Sequence, residues 1–91
     1  MSVQWLFDVI QSRRENPSEG SYTSRLLGEG LPRIAQKVGE EATETVVAAL
    51  AQEDQRLIEE VADLTYHTLV LLAARGLTPA DIEVELEKRH K

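Results

Sequence analysis

The sequence predicts an all-α protein, an antiparallel bundle of four to five helices. Three observations carry this prediction. Apolar residues recur at helical spacing through most of the chain, helix-stop signals fall between those stretches, and no segment alternates as a half-buried strand would. The 91 residues are 42% hydrophobic but only 4% aromatic, so Leu, Val, Ile and Ala must fill the core, which suits helices packed on helices. A chain this short buries only roughly 60–65% of its unfolded surface by itself, so the bundle is expected to be completed by homodimerisation. Residues 1–91 are read as one domain.

The elements follow in order. In "VQWLFDVIQSRRE", Val3, Leu6, Phe7 and Ile10 fall on one helical face. Asn16-Pro17 stops this helix, because the residue before a proline is pushed out of the α region. "NPSEGSYT" reads as a loop, and "SYTSRLLGEGLPR" as a short helix ended by Gly28 and Gly30. Pro32 marks the first turn of a long helix over about residues 31–52. Asp54 is the expected N-cap of the next, over about residues 55–75, which closes at Gly76. "TPAD" opens the last helix as a capping box of Thr78 and Asp81 with Pro79 at the first position, and that helix runs to about Arg89. Trp5 is expected in the core or a dimer interface, with stacking on a base as the alternative.

Composition removes several classes of function. A net charge of −6 argues against nucleic-acid binding by bulk electrostatics. The absence of cysteine removes disulfides, thiolate metal sites and thiol catalysis. No apolar run is long enough to span a membrane and no signal segment opens the chain, so a cytoplasmic location is expected.

The unusual feature is acidic. Glu40-Glu41 with Glu44, and Glu59-Glu60 with Asp63, sit in the two most helical segments. At about 100° per residue from Leu31, the residues Leu31, Ile34, Ala35, Val38, Ala42, Val46 and Ala49 form an apolar stripe within about 60° of the zero line. Glu41 falls at about 280°, flanking the stripe, Lys37 at about 240°, Glu44 at about 220°, and Glu40 points outward at about 180°. On the next helix, counted from Leu57, Glu60 falls at about 300°, His67 at about 280° and Asp63 at about 240°. The turn near residues 52–54 makes the two helices an antiparallel hairpin, which brings Glu41, Glu44, Glu60 and Asp63 to similar heights. Four like charges facing one another repel. A hard divalent cation removes the conflict, and oxygen-only ligands point to Mg²⁺, with Mn²⁺ as a possible substitute. The competing reading is a solvated helix face.

"KVGEEATETV" followed by "EEVADLTYH" resembles the E-E-x-x-E…E-x-x-D pattern of the all-α NTP pyrophosphohydrolases, the MazG-like superfamily. More narrowly, "SYTSRLL", "KVGEEATE", "ADLTYHTLVLLAARGL" and "ELEKRH" look like the phosphoribosyl-ATP pyrophosphohydrolase family of histidine biosynthesis, over about residues 3 to 90. The resemblance implies an α-helical, Mg²⁺-dependent homodimer that hydrolyses phosphoribosyl-ATP to phosphoribosyl-AMP and pyrophosphate, the second step of that pathway. It further implies the stand-alone form, without the cyclohydrolase to which the domain is fused in some organisms. Carried over residue by residue, Glu41 and Glu44 ligate metal from one helix, and Glu60 and Asp63 from the next. Glu44 or Glu40 takes the proton of the attacking water.

The remaining residues have two readings each. Lys37 either pairs with Glu41 at i, i+4 or contacts phosphate. Arg25 and Arg33 either bind phosphate or are solvated. Ser21, Tyr22, Thr23 and Ser24 either offer hydroxyl and N–H groups to phosphate or cap the short helix. For His67, a hydrogen bond to a metal-binding carboxylate or a substrate contact is favoured over direct ligation. Gly39, which weakens its helix by roughly 1 kcal/mol against Ala, fits a close approach by substrate or a partner helix. Two rival functions stand beside the main one: a house-cleaning (d)NTP pyrophosphohydrolase, and a non-catalytic helical dimerisation module.

Overall fold

The computed structural model describes residues 1–90. Helix α1, Val3–Glu15, begins where the Ser2 hydroxyl accepts a hydrogen bond from the Trp5 N–H at 3.1 Å, and it ends at Asn16, before Pro17. Helix α2, Tyr22–Glu29, is capped by Ser21, whose hydroxyl accepts from the Ser24 N–H. Helices α3, Leu31–Ala51, and α4, Asp54–Ala74, form a hairpin through Gln52 and Glu53. Helix α5, Pro79–Arg89, opens with the expected capping box: the Thr78 N–H donates to Asp81 Oδ2 at 2.9 Å. The fold is all-α, with five helices and no strand among the described residues.

The core lies at the end of the hairpin where α3 starts and α4 finishes. Phe7 and Ile10 of α1, Leu26 of α2, Ile34 of α3, and Leu69, Val70 and Ala73 of α4 make one buried cluster. Fully burying side chains of this size stabilises the fold by about 1.5–3 kcal/mol each. Between Ala48 and Glu60 no residue is buried, so the far half of the hairpin stands clear of this core.

Four local expectations need correction. Gly28 lies inside α2, whose last turn is needed to carry Leu26 into the core; only Gly30, at φ +95°, ends it. That single residue also starts α3, a backbone angle that glycine adopts without steric cost. Asp54 is not the N-cap of α4 but its first residue, with Glu53 outside it and no side-chain cap bond. The Asp54 carboxylate instead favours the positive end of the helix dipole from within the first turn. Trp5 is half exposed and lies outside the core, which removes only the core reading of that residue and not the interface one.

The fourth correction is the largest. The buried line of α3 is Ile34, Glu41 and Ala48, at seven-residue spacing, and not the apolar stripe read from the sequence. Of that stripe only Ile34 is buried, Val38 and Ala42 are intermediate, and Leu31, Ala35, Val46 and Ala49 are exposed. Helix α4 docks to one side of the stripe, which puts Glu41 inside and leaves an apolar face outside.

Candidate metal centre

Glu41, Glu60 and Asp63 come together between α3 and α4, each placing a carboxylate oxygen within 4.8 Å of the others. Hairpin geometry produces this meeting. Glu60 and Asp63 share a face of α4 one turn apart, and Glu41 faces them from the antiparallel partner. The helices are tied at this level by Thr45, whose hydroxyl donates to the Glu41 carbonyl at 2.8 Å and lies 3.3 Å from the Glu60 carbonyl.

Burial distinguishes the site from a solvated face. Glu41 and Glu60 are only 6% and 4% exposed. Each keeps one carboxylate oxygen, Oε2, buried and without a hydrogen-bond partner. A buried charge-bearing oxygen left unpaired is costly. Asp63 is exposed and closes the cluster from the solvent side.

Glu44 stands beside the three. Its carboxyl is pushed up to about 7 from an ordinary 4.5, first by the neighbouring Glu60 carboxylate and then by that of Glu41. Two cations answer these acids. Lys37 Nζ lies 3.4 Å from Glu41, and Arg56 Nη2 lies 2.8 Å from Glu60. Partial burial opposes the Lys37 charge, but Tyr22, Glu41 and Glu40 together hold its pKa above the ordinary lysine value. An all-oxygen donor set with orphaned buried oxygens fits a hard divalent cation.

Glu40 lies outside this group, as the helical wheel placed it. It accepts from Gln36 at 2.8 Å and pairs loosely with Lys37 and Arg33, at 3.5 and 3.8 Å. The Gln36 hydrogen bond, with help from Lys37 and Arg33, lowers its pKa. Arg33 also reaches Glu29 at 3.9 Å.

The start of α2 closes one side. Ser21 caps the helix, and the Ser24 hydroxyl accepts from the Ser18 N–H at 3.0 Å. Thr23 and Tyr66 share a hydroxyl–hydroxyl hydrogen bond. The Tyr22 hydroxyl lies 3.1 Å from His67 Nε2, and Arg25 stacks over the Tyr22 ring at 5.2 Å. His67 is buried, and its Nδ1 lies 2.7 Å from the backbone carbonyl of Asp63. A carbonyl only accepts, so Nδ1 carries hydrogen, and in the neutral ring Nε2 accepts from Tyr22. The histidine therefore bonds to the backbone of Asp63 rather than to its carboxylate, and the α2 hydroxyls serve caps and cross-links within the chain. Arg56 and Thr45 were not singled out from the sequence. The available signal was spacing alone: Arg56 stands four residues before Glu60, and Thr45 four after Glu41.

The phosphoribosyl-ATP pyrophosphohydrolase family model matches residues 3–90. A protein of Pyrobaculum calidifontis is 56% identical over 89 residues, which cover 98% of this chain and 95% of that one. One of Saccharolobus solfataricus is 52% identical over 89 residues, with the same two shares, 98% and 95%. One of Sulfurisphaera tokodaii is 52% identical over 86 residues, 94% of this chain and 92% of its own. Each is named phosphoribosyl-ATP pyrophosphatase. The matched range spans both acidic helices and the α2 segment, and on this likeness the chain belongs to the phosphoribosyl-ATP pyrophosphohydrolase family.

Proposed function

We propose that this protein hydrolyses the α–β phosphoanhydride of phosphoribosyl-ATP, giving phosphoribosyl-AMP and pyrophosphate, the second step of histidine biosynthesis. The observation that carries the reading is the cluster of Glu41, Glu60 and Asp63, with two buried unpartnered oxygens, in a chain of this family. Mg²⁺ is the proposed ion, with Glu41, Glu60 and Asp63 holding it and Glu44 at its edge. When bound, the ion supplies neutralisation of phosphate charge and electrophilic activation of the anhydride.

The chain's own residues do the rest. Glu44 is exposed to solvent, adjoins the cluster and has no cation locking it, so it is the proposed acceptor of the water proton. Glu40 is a weaker candidate because its charge is already engaged by Gln36, Lys37 and Arg33. Lys37 and Arg25, both close to Tyr22, are the proposed contacts for phosphate oxygens. Arg33, paired with Glu29 and Glu40, stands further out. Tyr22 and Thr23 tie α2 to His67 and Tyr66 of α4, and Ser21 caps its first turn.

We also infer a homodimer, formed over the apolar face that α3 and α4 leave outside. Leu50 is 84% exposed, Ile58 61% and Val46 58%, with Val47 and Val61 beside them. Exposed apolar side chains gathered on two neighbouring helices support an interface reading.

The test is pyrophosphate release from phosphoribosyl-ATP, with ATP and a dNTP panel alongside, each in Mg²⁺ and in EDTA. Fast, Mg²⁺-dependent release from phosphoribosyl-ATP alone is expected. Glu41→Gln and Asp63→Asn are expected to stay folded and to lose on the order of a hundredfold or more in turnover. Release from dNTPs instead would move the substrate to the house-cleaning class. Silence on every nucleotide from folded protein would overturn the enzyme reading.

A further inference from the structure

Arg56 has no part in the hydrolysis as described, yet it reaches into the site. Its Nη2 donates to Glu60 Oε1 at 2.8 Å, and its Nη1 is held by Glu59. The Glu60 side chain is 6% exposed, whereas that of Arg56 is 50% exposed. One guanidinium thus bridges a solvated acid and a buried one. Glu60 has its outer oxygen paired and its inner one, Oε2, unpaired, as is Glu41 Oε2. Beside Arg56 runs a groove of about 270 Å³ lined by Thr43, Glu44, Val47, Gln52, Arg56 and Glu60, which leaves the guanidinium half exposed at the edge of the cluster.

We propose that Arg56 is the resident counter-cation of the carboxylate cluster: through the outer oxygen it holds Glu60 in place, and its positive charge opposes a divalent cation at the inner oxygens. The inference rests on the reading of Glu41, Glu60 and Asp63 as a cation site. Its physical content is competition. A guanidinium in a charge-assisted bond to the outer oxygen of Glu60 draws on that carboxylate's charge and sets a positive charge beside an ion at its inner oxygen. It therefore steadies the ion-free protein and weakens cation binding. Glu59 holds the other guanidinium nitrogen and keeps Arg56 beside the cluster. Arg56 is a positioning residue, acting through Glu60.

The experiment titrates Mn²⁺ alone into wild type, Arg56→Gln and Arg56→Lys, followed by calorimetry, with melting of each in EDTA and in saturating Mn²⁺. Arg56→Gln is expected to bind Mn²⁺ about three- to tenfold more tightly than wild type. It should melt lower than wild type in EDTA and level with it in Mn²⁺, since an ion bound only to the native state raises stability in proportion to its affinity. Arg56→Lys keeps the charge without the fork and should fall between. Unchanged or weaker Mn²⁺ binding by Arg56→Gln, or equal loss of melting temperature with and without the ion, would make Arg56 an ordinary surface pair and overturn the proposal. Failure of the wild type itself to bind Mn²⁺ would overturn the underlying site reading instead.

Discussion

Glu44 is the residue through which the ion-free site can be titrated. Its carboxyl, raised to about 7 by Glu60 and then Glu41, is protonated in the folded chain over a range where the unfolded chain, at about 4.5, is ionised. The native state binds the extra proton, so this group's contribution to stability is full below pH 4.5 and is lost as pH rises through 7. In EDTA the melting temperature is expected to fall across that window, and Glu44→Gln, which cannot titrate, should flatten the fall. Saturating Mg²⁺ should flatten it as well, by removing the repulsion that raises the pKa. An equal slope in Glu44→Gln would assign the effect to other carboxylates. At this scale the sequence was informative about Glu41, Glu60 and Asp63, because three-residue spacing on a hairpin fixes both face and height. It was silent about Arg56, because a cation four residues from an acid looks the same on any solvated helix. Only the burial of Glu60 separates the two cases.

Among the elements, α3 has the strongest claim to a second function. Gly39 sits in mid-helix, and a Cβ built there meets nothing within 4 Å. Helix propensity alone makes Gly39→Ala stabilising by about 1 kcal/mol. Gly39 borders the exposed face of Leu31, Ala35 and Val46, so a partner helix or substrate approaching closely would meet the added methyl. Gly39→Ala is expected to raise the urea midpoint of dilute, dissociated chain and to lower activity or weaken association at working concentration. A gain in stability with neither loss would show that no close approach occurs at Gly39. Helix limits were legible to within a residue or two because Pro17, Gly30, Pro32, Gly76 and the Thr78 box act locally. The rotation of α3 was not. Its apolar stripe and its carboxylate line are adjacent faces, and the choice of the second as the buried one depends on where α4 docks.

Taken as a molecule, the chain is more open than its length requires. A globular domain of this size has a radius of gyration of about 12 Å, against 14.2 Å here. The excess agrees with a core gathered at one end of the hairpin and an apolar half extending beyond it. Light scattering at micromolar concentration is expected to give twice the chain mass. Ile58→Lys with Leu50→Lys should halve it, while circular dichroism keeps its helical signature. A monomeric wild type would require another occupant for that face. The hairpin has a further consequence, for the order in which the fold assembles. All four site carboxylates lie between residues 41 and 63 on helices joined by two residues, whereas the core must also recruit α1 and α2, which precede the hairpin. Closing the hairpin costs little chain entropy and is the early step open to this topology. An ion able to clasp the hairpin then acts before the core exists, as a nucleus rather than only as a ligand. Stopped-flow refolding should speed up with Mn²⁺. Slower unfolding at an unchanged refolding rate would place the clasp last.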